Sequence, residues 1–203
     1  MELKQSLRKE LLKKRNTLTE EQREKYSKLI QEKLCLLPEY IHAEILLIYI
    51  SYQSEVSTHE IINHALKNGK KVFCPKVLEA GIMEFYEITS WDDVICGYKN
   101  IPEPKYTQMP FHNSPIPKAI MVMPLVGFDE CKNRLGYGGG FYDRYIQNNP
   151  EMLRIALAYE CQKYETVLPV EETDKKPDFI LTERHTIKNR TTPCPKEYLR
   201  NEV

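Results

Sequence analysis

The chain has 203 residues, 41% of them hydrophobic and 29% charged, the make-up of an ordinary globular protein. A chain this long can bury about 70% of the surface its unfolded form exposes, so it needs no disulfides or structural metal, and the small stapled scaffolds are excluded. Its 29 basic and 29 acidic side chains cancel, and its longest apolar stretch, Ala119 to Phe128, is broken by Pro124 and Gly127 and falls well short of the ~20 residues a membrane span needs.

The N-terminal stretch alternates charge with leucine and has no apolar core like that of a signal peptide, so a cytoplasmic protein is expected. Its first fifteen residues hold six bases, Lys4, Arg8, Lys9, Lys13, Lys14 and Arg15, against Glu2 and Glu10. At about 100° per residue, Leu3, Leu7 and Leu11 form an apolar stripe whose margin carries Lys4, Arg8 and Arg15. A base at that margin can face a cleft while the leucines dock the helix. Thr19-Glu20-Glu21-Gln22 is a capping box that opens a second helix, ended by Pro38.

Glu44 to Ser51 is a continuous apolar run with β-branched residues, which predicts a strand covered on both faces and therefore a parallel sheet. Thr58 to Asn68 predicts a helix with Ile61, Ile62, Ala65 and Leu66 turned inward and Gly69 as its C-cap. Lys71 to Pro75 begins another strand and completes a βαβ unit. Met83 to Ile88, Ala119 to Pro124, Arg154 to Tyr159 and Phe179 to Leu181 supply the remaining strands. Five of the thirteen prolines lie from Pro102 to Pro117, which predicts an extended connection without secondary structure of its own. The fold class is α/β: a single-domain, open, mostly parallel sheet flanked by helices with an N-terminal helical pair, over residues 1–187. A loosely held tail, 188–203, follows. Cys35, Cys74, Cys96, Cys131, Cys161 and Cys194 are widely spaced without a CxxC and read as isolated thiols.

Five of only eight glycines fall between Gly127 and Gly140. Gly136, Gly138, Gly139 and Gly140 can take positive φ and let another group approach the backbone, and Phe141 to Ile146 reads as the start of a helix. Strand, glycine loop and helix start together present N–H groups and a helix dipole to phosphate. Arg134, just upstream, adds a fork suited to phosphate oxygens. The string is neither a Walker A loop nor a dinucleotide GxGxxG.

Asn133-Arg134-Leu135-Gly136-Tyr137-Gly138-Gly139-Gly140-Phe141-Tyr142-Asp143-Arg144 closely resembles the signature of the 5-formyltetrahydrofolate cyclo-ligase family. The likeness extends through the basic first helix, Ile48 to Glu55, Ile101-Pro102-Glu103-Pro104, Met123-Pro124, Gly127-Phe128-Asp129 and Pro177-Asp178, and omits only the chain beyond about Ile187. It implies ATP- and Mg²⁺-dependent conversion of 5-formyltetrahydrofolate, with or without a polyglutamate tail, to 5,10-methenyltetrahydrofolate. It makes Lys4, Arg8, Arg134, Gly136, Gly138, Gly139, Gly140, Phe141 and Tyr142 ATP contacts, with Arg134 and Tyr142 catalytic. Asp143 and Asp178 become Mg²⁺ ligands. Ile50, Glu55, Tyr137 and Phe141 become folate contacts, with Tyr98 an approximate match for a folate-stacking aromatic. Some members carry lysine where Gly139 stands and tyrosine where Phe141 stands. A monomer without nucleic-acid or membrane partners is expected.

Two other readings stay open: another phosphotransferase or nucleotide-binding α/β domain sharing such a cradle, and a non-enzymatic nucleic-acid-binding module using the basic first helix. Zero net charge and the lack of an aromatic-basic signature weigh against the second. His59 and His64 miss the i, i+4 spacing of a helical metal pair, and there is no GxSxG for acyl transfer.

Overall fold

The computed structural model describes residues 2–78, 82–97, 100–105, 109–111 and 118–188. Two long helices come first, α1 (Glu2–Asn16) and α2 (Glu20–Cys35), then the short α3 (Pro38–His42), β1 (Ile45–Ile48), α4 (His59–Lys67), β2 (Lys71–Val77) and β3 (Met83–Ile88). There follow β4 (Val94–Cys96), β5 (Pro102–Pro104), β6 (Ala119–Pro124), β7 (Gly127–Phe128) and β8 (Arg134–Leu135). The order closes with α5 (Phe141–Asn148), β9 (Leu153–Leu157), β10 (Phe179–Leu181) and β11 (Thr186–Ile187).

Every side chain of β1 is buried, as a strand covered on both faces requires. It pairs in parallel with β2 and β6, while β9 pairs in parallel with β6 and β10. Antiparallel β3 and β11 close the edges, giving the order β11-β10-β9-β6-β1-β2-β3. Alternation divides the core in two. Leu46, Ile48 and Val122 pack with Ile30 and Leu34 of α2 and Ile61 and Ile62 of α4. Ile45, Leu47, Met121 and Met123 pack on the opposite face with Phe85 and Ile146 of α5. The chain leaves β1 toward β2 and later returns on the other side of β1 as β6. Strand order therefore reverses between β1 and β6, and the crevice at their carboxyl ends is where open α/β sheets take ligands.

The helical pair forms as expected. Thr19 Oγ1 accepts from Gln22 N at 3.2 Å and Gln22 Oε1 accepts from Thr19 N at 2.9 Å, so the capping box is complete. The second helix stops at Cys35, and Pro38 opens α3 at its first turn. Leu7 and Leu11 dock α1 on Val126, Leu135 and Leu168. A Cβ at Gly127 would fall inside the Leu11 side chain, so glycine lets α1 lie this close. Leu3, expected in the same stripe, is 61% exposed; the first turn, with Lys4 and Gln5, borders a cleft instead of the sheet.

Two further expectations are corrected. The proline-rich connection contains β5, which pairs antiparallel with β4, and Pro110 bridges to Tyr86. Proline suits such a ladder because its missing N–H is tolerated on an edge strand. Buried Lys76 donates to Pro104 O at 2.6 Å and stands 3.6 Å from Glu103, which ties β5 to β2. Cys35, Cys74, Cys96 and Cys161 are free thiols, whereas Cys131 is disulfide-bonded; spacing along the chain carries no information on pairs that folding brings together. The expected tail from 189 onward lies outside the described residues. No helix among the described residues is long and apolar enough to cross a membrane.

Candidate active site

The site is built on the turn between β7 and β8, which pair antiparallel. The Asp129 carboxylate, 1% exposed, accepts from the backbone N–H groups of Cys131, Asn133 and Leu168 at 2.8, 2.9 and 2.8 Å and from Asn133 Nδ2 at 2.7 Å. Four donors offset the desolvation of its charge. This knot sets the direction of β8 and so delivers Arg134 to a cleft of about 470 Å³ at the carboxyl end of the sheet.

Arg134 is almost wholly buried, and its NH2 donates to Asp143 Oδ1 at 2.7 Å. Its Nε is buried without a hydrogen-bond partner among the described residues. An orphaned donor of this kind costs about 1–3 kcal/mol. Beyond it, Gly138 at φ 99° and Gly140 at φ 64° occupy left-handed backbone that disfavours any side chain. Gly140 is the N-cap of α5 and supplies no capping side chain, so the N–H groups of the first turn are left without a side-chain cap, an arrangement that suits an anion. A Cβ at Gly139 would stand 2.6 Å from the Phe141 ring, so any side chain there would displace that ring.

The first helix forms the opposite wall. Arg8 Nε donates to Gly136 O at 2.8 Å. Lys4 Nζ donates to Asp174 at 2.7 Å and stands 3.1 Å from Glu171. Burial lowers the Lys4 pKa, but the hydrogen bonds to these two carboxylates outweigh it and leave the group raised. Asp143 Oδ1 also accepts from Lys175 N at 3.0 Å, which brings the Asp174 loop against α5.

The loop after β1 forms the second half of the site. Ile50 is buried. Tyr137, the only side chain between Gly136 and Gly140, reaches across and donates from its hydroxyl to Glu55 Oε1, while Glu55 Oε2 accepts from Tyr52 N at 2.9 Å. Burial raises the Glu55 pKa, and the Tyr137 hydrogen bond, the Tyr52 N–H and the Arg15 charge only partly offset it. Tyr142 is pushed well above the ordinary tyrosine range by burial and then by the negative charge of Glu55, so its phenol stays protonated and can donate.

The cleft thus brings together Lys4, Arg8, Arg134, the four glycines, Tyr137, Phe141, Tyr142 and Asp143. Glu55 joins through Tyr137, whereas buried Ile50 does not line the cleft. Asp178 is not among the lining residues: both its oxygens accept from Arg154, at 3.0 and 3.1 Å. Tyr98 lies outside the described residues. Three participants were missed in the sequence. Glu171 and Asp174 sit in a stretch without periodicity, and only their opposition to Lys4 could have singled them out. Arg15 was visible on the margin of the α1 stripe, but a charge-rich helix reads as solvated, whereas Arg15 is 3% exposed.

Fold and cleft together define an α/β protein with a glycine and arginine cradle, of a kind suited to anions, at the switch point of a mostly parallel sheet. Residues 1–183 match the 5-formyltetrahydrofolate cyclo-ligase family, and the chain belongs to that enzyme family. The 5-formyltetrahydrofolate cyclo-ligase of Escherichia coli strain K12 is 31% identical over 166 residues, covering 79% of this chain and 90% of that one. The Haemophilus influenzae protein of the same name is 32% identical over 178 residues, covering 84% and 92%. The NMR structure of Aquifex aeolicus 5,10-methenyltetrahydrofolate synthetase superposes with a TM-score of 0.80 at 29% identity, over 97% of this chain and 99% of that one.

Proposed function

We propose that this chain converts 5-formyltetrahydrofolate to 5,10-methenyltetrahydrofolate using ATP and Mg²⁺, with release of ADP and phosphate. The observation that carries the reading is Arg134, a buried guanidinium with an unsatisfied Nε beside a glycine cradle and a bare helix start. A donor so held favours phosphate oxygens. Family membership of residues 1–183 supplies the folate half of the reading.

A formamide carbonyl is a weak electrophile. Transfer of the γ-phosphoryl group to its oxygen makes that oxygen a leaving group; N10 then attacks the carbon and gives up its proton to solvent, and the C–O bond breaks to release phosphate. Little covalent work falls to the protein, so alignment and charge neutralisation dominate. Lys4, Arg8 and the Gly136 to Phe141 backbone would hold the phosphates, and Arg134 would offset charge on the transferring group. Tyr142, kept protonated, would donate to an oxygen there. Glu55 would accept from pterin N–H donors, with Phe141 as an apolar contact.

The donor set also fits Mg²⁺, which takes one or two carboxylates and completes its shell with phosphate oxygens and water. Asp143 and Asp174 line the cleft, each now paired with a side-chain cation. No three His, Cys, Asp or Glu side chains gather among the described residues, so phosphate and water would supply the remaining ligands. Bound there, the ion would neutralise phosphate charge. Asp178, engaged by Arg154, is the weaker candidate.

The test is the absorbance of the methenyl product when protein, Mg²⁺ and 5-formyltetrahydrofolate are mixed with and without ATP. A rise only with ATP is expected. Folded protein that gives none would sink the reading, and ATP turnover independent of folate would favour another phosphotransferase.

A further inference from the structure

Arg15 presents a physical puzzle. It lies in the last turn of α1 and is 3% exposed, yet its hydrogen bonds go to two uncharged groups, with Nε 3.0 Å from Ser54 Oγ and NH1 2.7 Å from the Tyr137 hydroxyl. Its guanidinium carbon also stands 5.7 Å from the Tyr137 ring centroid. A buried cation is costly unless a counter-charge is near. That counter-charge is one step away: the hydroxyl that accepts from Arg15 donates to Glu55. Tyr137 is thus polarised from both sides, with a charge-assisted hydrogen bond at each end of the relay.

The Glu55 backbone is fixed by other groups. Tyr49 OH donates to Val56 O at 2.9 Å, Thr58 Oγ1 to Tyr49 O at 2.8 Å, and Tyr159 OH to Glu55 O at 3.2 Å. What the relay adds is the aim of the Glu55 side chain. Resting on the cyclo-ligase reading above, we infer that Arg15 is a positioning residue for folate recognition: acting through Tyr137, it aims the Glu55 carboxylate toward a heterocycle that presents adjacent N–H donors.

The experiment compares wild type with Arg15→Met, Arg15→Lys, Tyr137→Phe and the Arg15→Met/Tyr137→Phe double variant. It measures binding of 5-formyltetrahydrofolate by calorimetry without ATP, and separate KM values for folate and ATP in the cyclisation assay. Arg15→Met and Tyr137→Phe should each weaken folate binding about tenfold or more, the effect of losing a hydrogen bond to a charged group. The ATP KM should stay within about twofold. Arg15→Lys, which keeps the charge and loses the fork, should recover part of the affinity. The double variant should be no worse than either single one, because one relay is broken in each case. Unchanged folate affinity, a parallel rise of both KM values, or additive losses in the double variant would each overturn the inference. If Arg15→Met fails to fold, Arg15→Lys and Tyr137→Phe decide by the same criteria. Wild type that binds folate without forming product would overturn the cyclo-ligase reading while leaving the relay standing on the binding data. Wild type that binds no folate would overturn both.

Discussion

Burial at Glu55 gives the site a pH signature. The groups facing it are Arg15 of α1, Tyr137 of the cradle, Tyr49 just after β1 and Tyr142 of α5. Burial raises its pKa, so it takes up a proton at a higher pH than an ordinary glutamate, whose value is about 4.3. Protonation would turn the acceptor proposed for the pterin into a donor. The expected outcome is a kcat/KM for folate that falls on the acid side with a midpoint above the ordinary glutamate value, and a limb that Glu55→Gln abolishes. An acid limb that survives in Glu55→Gln would assign the titration elsewhere. Stability runs the opposite way. A carboxyl with a raised folded pKa binds its proton more tightly when folded, so its ionisation weighs against the fold as pH rises from the unfolded toward the folded value. None of this was legible from the sequence, where Glu55 is one of many glutamates and only a resemblance singled it out.

At the scale of elements, α1 is the part on which both halves of the site depend. It carries Lys4 and Arg8 to the cradle and Arg15 to the Tyr137–Glu55 pair, and it is seated by Leu11 against Gly127. Gly127→Ala should overpack that contact, costing about 1–3 kcal/mol by denaturant unfolding and weakening ATP affinity as Lys4 and Arg8 shift. Adding Leu11→Ala should restore part of the affinity by making room. Unaltered affinity and stability in Gly127→Ala would mean that α1 needs no such close seat. Regular elements were readable where periodicity was strong: the Ile45–Ile48 run, the α4 pattern and the Thr19 capping box all stand as expected. The β4–β5 ladder was not, because Pro102 and Pro104 argue against a strand by propensity, whereas an edge position and the buried Lys76 contacts decide the outcome.

Across the whole molecule, the site joins residues that no local pattern links. The glycine string announced the cradle, but the carboxylate that completes the cleft comes from Asp174, whose neighbourhood carries no motif, while Asp178 in a more regular setting is taken by Arg154. Mg²⁺ titration of activity tests the difference: Asp174→Asn should raise the concentration required, and Asp178→Asn should leave it within about twofold of wild type. The opposite pattern would return the metal to Asp178. The reach of α1 also has a consequence in time. Lys4 bonds Asp174, 170 residues further along, and Arg15 bonds Tyr137, 122 further along. On a ribosome the first helix emerges long before either partner exists, so its basic face waits without a seat until nearly the whole sheet has been made. Catalytic competence would therefore arrive late and abruptly during synthesis, and a nascent chain that stops short of Asp174 would hold most of the fold and only part of the cleft.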